Sequence, residues 1–387
     1  MVAPSSTVGA LDGLLVADFS RVLAGPFSTQ ILADLGATVI KVESPEGDET
    51  RGWKPPARGD VSTYFLGINR NKSSVVLDFR RDEDRAAAQE LARRADIVIE
   101  NFLPGGLAKF GLDYQSVATT NPAVLYASIS GFGAADGATL PGYDLVVQAA
   151  SGLMSLTGDA DGTAFRSGVS VFDIMTGMQA TVGVLAALNH RNRTGEGQHI
   201  EVNLLSTALA AMANHSSTFV AGGQIPHRMG NAHPSLFPYE PLPTADGDLV
   251  IVAANDKQFA RLAAALGVAE LAFDERFDST EKRNRNREML RPLLVDALAR
   301  HTAGEWFDLL SAAQVACGPI NDISQGVALA EKLGLAPVVE VGEGDQAVPM
   351  VRNAISLSRT PAAYRSAPPR LGQHTTQVVE WLKGDTK

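Results

Sequence analysis

The succession of a strand, a helix and a second strand near the start of the chain restricts its possible folds more than any other feature. Leu14-Leu15-Val16-Ala17-Asp18-Phe19 is a largely apolar run and reads as a buried strand. Gly25 and Pro26 then open a helix over Phe27 to Leu35, whose apolar residues recur at helical spacing, and Gly36 ends it. Ala37 to Glu43 is a second strand. Such a unit predicts a parallel strand pair joined by a right-handed crossover. The alternation continues with a strand at Ser74 to Phe79, an amphipathic helix from Asp82 to Arg94 and a strand at Ala95 to Glu100. A helix near Lys109 and a strand from Val124 to Ser130, ending in Gly131-Phe132-Gly133, follow. Repetition of this kind predicts an open, doubly wound α/β domain with ligands at the carboxyl ends of its strands. The glycines do not spell G-x-G-x-x-G, so a dinucleotide fingerprint is absent.

At 387 residues the chain is long enough for two domains, and the pattern changes past residue 215. Residues 1–215 read as the large domain. A loop at 225–244, rich in proline and holding His227, His233, Tyr239 and Glu240, marks a boundary. A smaller α/β domain follows over 225–330, with a strand at Asp248 to Ala253 and helices over much of 256–313. Cys317-Gly318-Pro319-Ile320-Asn321-Asp322 reads as a sharp turn into another helix, and a tail over 337–387 closes the chain.

Charge narrows the function. The formal net charge is −10 and the isoelectric point is near 5.2, which argues against general nucleic-acid binding, since that needs a basic surface. The single cysteine, Cys317, excludes an intrachain disulfide framework, and the seven scattered histidines show no metal-ligand spacing, so no metal site is expected. The first residues lack a signal-peptide pattern, and no uninterrupted apolar run approaches the ~20 residues of a spanning helix. A cytoplasmic enzyme without a membrane partner is the expectation.

One carboxylate stands out. Asp173 follows Val169-Ser170-Val171-Phe172, which reads as a strand, and precedes the small residues Thr176 and Gly177 of a long apolar helix. Burying a carboxylate there is costly unless something pairs with it or uses it. The residues alone favour a plain N-cap role, because aspartate before an apolar-periodic run is a common cap.

Several stretches, in order, resemble the class III coenzyme A transferase family: DFSRVLAGPFSTQILADLGATVIKVE, GDETRGW, NRNKSSVVLDF, ADIVIENFLPGGLAKFGLDY, RTGEGQHIEVNLL, GNAHPSLFPYEPLPTADGDLVI, CGPIND and APPRLGQHT. The resemblance covers nearly the whole chain. It implies an interlocked homodimer, each chain a large Rossmann-like doubly wound domain plus a smaller α/β domain, with the C-terminal part returning to the large one. It places the family's nucleophilic aspartate at Asp173, against the cap role. It carries coenzyme A contacts to Val22 and Leu23, to Leu77, Asp78, Phe79 and Arg80, to Asn101, Phe102 and Leu103, to Lys109, and to Pro141, Gly142, Tyr143 and Asp144. Acyl-CoA and a small carboxylic acid are the implied substrates, and no permanently bound cofactor is implied.

Departures from the family pattern sharpen this. Lys109 stands where formyl-CoA transferase has an arginine, so a charge is kept but a bidentate fork is lost. Ser44 replaces another of its coenzyme A-binding arginines, which shifts that contact toward Arg51, Arg70, Lys72 or Arg80. Each of these could equally be a solvated surface charge. Tyr143 occupies the place of a histidine base in α-methylacyl-CoA racemase; a tyrosine with a pKa of about 10 is a poor base at neutral pH, which favours transfer over racemisation. Gly230-Asn231-Ala232-His233-Pro234-Ser235 replaces the run of glycines in formyl-CoA transferase, which disfavours an oxalate-specific enzyme. The Asn-Ala-His-Pro and Pro-Tyr pieces are similar to members that use succinyl-CoA or other dicarboxyl-CoA donors. His233 and Tyr239 then line the acceptor site, or only shape the loop between domains.

Overall fold

The structure is a computed structural model, and it describes residues 9–344 and 347–384. The reading of the first eight residues lies outside the described residues. The chain divides into two compact units. One holds the chain up to Leu153, Arg166–Gln224 and everything from Ala336 on; the other holds Met154–Phe165 and Ile225–Leu335.

In the first unit the strands are β1 (Leu15–Asp18), β2 (Thr38–Glu43), the short hairpin β3–β4 (Ala57–Arg58 and Val61–Ser62), β5 (Lys72–Val76), β6 (Ile97–Glu100), β7 (Leu125–Ser130) and β8 (Gln198–Asn203). The hairpin apart, they form one six-stranded sheet in the order β5-β2-β1-β6-β7-β8. Every pairing in it is parallel, with Leu15 opposite Thr38 and Val16 opposite Ile97. The winding direction reverses between β1 and β6, which opens a crevice outside their carboxyl ends.

Both faces of this sheet are buried, and alternate residues supply them. Val16, Ile97, Ile99, Leu125 and Ala127 point to one core, against α1 (Ala24–Asp34) and the long helix of the unit, through Leu32, Ala33, Ala180, Val184 and Ala187. Ala17, Val98 and Tyr126 point to the other, against Ala88 and Leu91 of the helix Asp82–Arg94 and Val378 and Leu382 of the helix Thr375–Lys383. The C-terminal segment is tied in by polar contacts too. Arg365 donates to the carbonyls of Ala33 and Ala37 at 2.8 and 3.1 Å, where α1 ends.

The remaining helices that bear on the site are α2 (Thr63–Gly67), α3 (Asp82–Arg94), α4 (Tyr114–Thr120), α5 (Asp144–Ala150), α6 (Leu153–Leu156), α7 (Val171–Thr194) and α8 (Leu204–Ala211). By length and composition α7 would suit a membrane span, a match the sequence reading did not bring out. In the fold it packs Phe172, Ala180, Val184 and Ala187 into the core.

Three local expectations are corrected. No strand forms over 169–172: Val169 is exposed, Phe172 is buried, and α7 already begins at Val171. The segment near Lys109 is a single 3-10 turn, Ala108–Phe110, closed by Gly111 at positive φ. The expected turn at Cys317 is a strand instead. In the second unit β9 (Tyr239–Pro243), β10 (Asp248–Val252) and β11 (Ala316–Pro319) form an antiparallel sheet in the order β11-β10-β9. Pro241, Pro243 and Pro319 are tolerated because both outer strands are edges. Phe237, Leu249, Ile251, Phe259, Leu294 and Trp306 fill the core beneath it.

Candidate active site

Three loops at the carboxyl ends of β1, β6 and β7 meet at the crevice. After β1 the chain runs through Ser20, Arg21 and Val22 into α1, and Val22 takes a φ of 68°, an outlier for a β-branched residue. After β6, the Asn101 side chain accepts from the Arg21 amide at 2.9 Å and donates to the Arg21 carbonyl at 2.7 Å. The two loops are thereby locked together across the point where the sheet reverses. After β7, Gly131 lies against Gly142. A Cβ on Gly131 would fall 2.3 Å from the Gly142 Cα, so only glycine lets Pro141-Gly142-Tyr143 lie against the strand end.

That segment leads into α5, whose first residue, Asp144, is 6% exposed. Its Oδ2 accepts the amides of Phe172 and Asp173 at 2.8 and 3.1 Å, and its Oδ1 accepts from Gln148 Nε2. Gln148 also accepts the Ser167 amide at 2.8 Å and donates to the Val169 carbonyl at 3.3 Å. The cap of α7 is therefore Asp144, reaching over from another helix, and the expectation that Asp173 caps it is corrected. The Val171 and Ile174 amides are also used, by the carbonyls of Val169 and Ser170.

Asp173 sits in the first turn of α7. A Cβ on Gly177, one turn on, would fall 2.4 Å from the Ala24 carbonyl oxygen. The bare glycine lets α7 close on the start of α1 and brings Asp173 to the crevice. There, Arg21, Val22, Leu23, Ala24, Asn101, Phe102, Leu103, Gly142, Tyr143, Asp173 and others line a cavity of about 260 Å³. Burial, and then the charge of Asp144, push the Asp173 carboxyl up to about 7. Near neutral pH it is shared between its protonated and ionised forms, an unusual state for a carboxylate and one typical of functional sites. Burial, followed by the Asp173 charge, also raises the Tyr64 hydroxyl to about 12, while a hydrogen bond with Ser170 opposes the rise. The Tyr64 ring meets Trp53 edge to face at 5.1 Å.

The expected site residues fall into groups. Val22, Leu23, Asn101, Phe102, Leu103, Pro141, Gly142, Tyr143 and Asp173 share the cavity. Asp144 stands behind it, holding α7. Leu77, Asp78, Phe79, Arg80 and Lys109 do not line it. Phe79 and Phe110 stack edge to face at 5.4 Å, Lys109 lies over the Phe110 ring, and Arg80 forks onto Asp78 at 2.8 Å. Leu77 is buried, so only its backbone could meet a ligand. His233 and Tyr239 belong to the second unit, their rings 4.9 Å apart.

Of the cations expected to compensate for Ser44, three are internal. Arg51 forks onto Glu43 at 2.8 and 2.7 Å, Arg70 onto Asp34 at 2.9 and 2.7 Å, and Lys72 bonds to Asp18, Asn69 and the Pro26 carbonyl. Only Arg80 is exposed. Sequence reasoning missed Arg21, Tyr64 and Gln148. Nothing in the chain pattern set Gln148 apart from an ordinary helix residue.

Comparison with known proteins shows the family. The chain is 42% identical, over 96% of its length and 96% of the relative's, to a succinate–glutarate CoA-transferase of Agrobacterium fabrum. It is 39% identical to an acetyl-CoA:oxalate CoA-transferase of Acetobacter aceti, over 92% of this chain and 91% of that one. Among solved structures, a CAIB/BAIF family protein from Brucella suis superposes with a TM-score of 0.86 at 40% identity, covering 97% of this chain and all of its own. The pattern that defines CoA-transferase family III matches residues 11–375. The chain belongs to CoA-transferase family III and is an enzyme of that class.

Proposed function

We propose that this enzyme moves coenzyme A from a dicarboxyl-CoA donor, succinyl-CoA foremost, to a small carboxylic acid through a covalent intermediate on Asp173. One observation carries the reading: Asp173 is delivered by the first turn of α7 to a cavity at the sheet's switch point, with its carboxyl raised to about 7. A thioester is an activated acyl donor, so even a carboxylate can attack it. The Asp173 oxygen adds to the donor carbonyl and the thioester C–S bond breaks, leaving a mixed anhydride and coenzyme A thiolate. The thiolate attacks the aspartyl carbonyl, releasing the donor acid and leaving an aspartyl-CoA thioester. The acceptor carboxylate displaces the thiolate through a second anhydride. Attack of the thiolate on the acceptor acyl carbon then frees Asp173 and the new acyl-CoA.

The first amides of α7 are already occupied, so the oxyanions of these steps draw their donors from other walls of the cavity. Val22, Leu23, Asn101, Phe102, Leu103, Gly142 and Tyr143 form the walls that receive the thioester end. Leu77, Asp78, Phe79, Arg80 and Lys109 take the nucleotide end, where the exposed Lys109 supplies charge for phosphate. Asp144 acts by positioning α7. His233 and Tyr239 serve the acceptor acid. The working form is a homodimer: Met178, Val182 and Leu209 are large apolar side chains exposed on α7 and α8 that a second copy would cover.

The relative acting on succinate and glutarate supports a dicarboxylate pair. A racemase would need an acid and a base about the α-carbon, and Tyr143 stands where that fold would place the base. The test is an exchange assay: succinyl-CoA with glutarate or other small acids as acceptors, new acyl-CoA read by liquid chromatography. Exchange with at least one acid, lost in Asp173→Ala, is expected. No exchange with any of them, together with solvent deuterium at Cα of an α-branched acyl-CoA, would overturn it in favour of an isomerase.

A further inference from the structure

Among the described residues Val22 is the only β-branched one held at positive φ, at 68°. Such a conformation persists only where the surroundings over-determine it, and it concentrates at functional sites. Asn101 grips the Arg21 peptide from one side. From beneath, the Val22 amide donates to both oxygens of Asp48, at 3.4 and 3.3 Å. Asp48 is buried and also accepts the Thr50 amide at 3.0 Å and the Thr50 hydroxyl at 2.7 Å. Its partner in charge is Lys41 Nζ at 2.8 Å, a fully buried ammonium on β2. Lys41 also donates to the Ser20 carbonyl at 2.9 Å. One buried ion pair thus grips the loop on both sides of Arg21, directly at Ser20 and through Asp48 at Val22. Asp18, Glu43 and the buried ammonium of Lys72 are the other charged groups that act on Lys41 or feel it.

A buried pair of this kind is a poor source of stability, because apolar residues of similar volume often serve as well. Here its hydrogen bonds with Ser20 and Val22 reach the strained loop, while those from Thr50 fix the Asp48 carboxylate beneath it. We propose that Lys41 and Asp48 are positioning residues of the acyl-CoA cleft: their ion pair holds Ser20–Val22 in the strained form that shapes the cavity wall beside Asp173. This rests on the reading of that cavity as the acyl-CoA site.

A double-mutant cycle tests it, with binding of free coenzyme A by calorimetry as the readout. Asp48→Asn removes the charge and keeps the shape, and Val22→Gly lets the backbone hold positive φ without a steric penalty. In the wild-type background Asp48→Asn is expected to weaken coenzyme A binding about tenfold or more, and in the Val22→Gly background less than about threefold. Equal losses in both backgrounds would overturn the proposal, because the pair would then support the fold and not the loop. No loss in either would overturn it too. Should Asp48→Asn fail to fold by circular dichroism, Lys41→Met with Asp48→Asn removes both charges together and carries the same cycle. Wild-type protein that binds no coenzyme A would contradict the acyl-CoA reading itself and the proposal with it. Loss of coupling in a wild type that does bind contradicts the proposal alone.

Discussion

Asp144→Asn removes one negative charge beside Asp173 at nearly constant shape. The climb of Asp173 from 3.8 to about 7 corresponds to roughly 4 kcal/mol in the balance between its two protonation states. Burial is the larger cause and Asp144 the second, so the Asp144 charge accounts for less than half, under about 2 kcal/mol. Water in the cleft screens it further. Because the ionised form is the nucleophile, wild-type acylation is slow well below pH 7 and levels off above it. In the variant the acid limb moves down by about one pH unit and stops well short of an ordinary carboxylate, since burial persists. A structural penalty accompanies this. Asparagine keeps one acceptor atom where Asp144 uses two, and Gln148 cannot turn over without releasing Ser167 and Val169. One unmet buried polar group costs about 1–3 kcal/mol. Single-turnover release of coenzyme A from succinyl-CoA, followed with a thiol reagent from pH 5 to 9, reads the first effect, and urea unfolding reads the second. An acid limb that stays in place, or one that falls to near 4, would refute the division between burial and charge.

Gly177→Ala drives a methyl to 2.4 Å from the Ala24 carbonyl, so α7 must move off α1 at a cost of about 1–3 kcal/mol. The urea midpoint and kcat should fall together, and a wild-type midpoint would contradict the close approach. Asp173→Asn alters stability in a pH-dependent way. The raised carboxyl favours the folded state below about pH 4, and this benefit is lost as pH rises through about 7. The variant should therefore gain on wild type between pH 5 and 8 in urea unfolding, and an unchanged difference would count against the raised value. Lys109→Ala should raise KM for acyl-CoA several-fold at low salt and progressively less as salt is added, because the contact is exposed and screened. A KM equal to wild type at low salt would remove Lys109 from the nucleotide end.

The sheet of the first unit was legible because both of its faces are buried. Strands such as Ile97–Glu100 are apolar in succession, and the helices between them carry the 3.6-residue spacing. Residues 169–172 misled for a physical reason: Val169-Ser170-Val171-Phe172 has the composition of a strand, yet the amides of Phe172 and Asp173 find an acceptor in Asp144, 28 and 29 positions earlier. That long-range cap makes a helix start affordable there, and no local pattern encodes it. The same limit explains Cys317, where pairing with β10 overrides a turn-like sequence. Of the site, residue types and order brought Asp173 and the loop residues into view through family resemblance. The fates of Arg51, Arg70 and Lys72 were hidden, because whether a cation faces solvent or a buried carboxylate depends on partners such as Asp34 and Asp18 that lie far away in the chain. Gln148 and the Lys41–Asp48 pair were hidden in the same way.

The most direct test of the covalent route is intact-protein and peptide mass spectrometry after brief incubation with succinyl-CoA, with Asp173→Ala as the control. The expected result is an adduct of coenzyme A mass on the peptide that carries Asp173, discharged by hydroxylamine and absent from the variant. Product formation from succinyl-CoA and an acceptor acid with no such adduct at any quench time, or with the adduct on another residue, would contradict it.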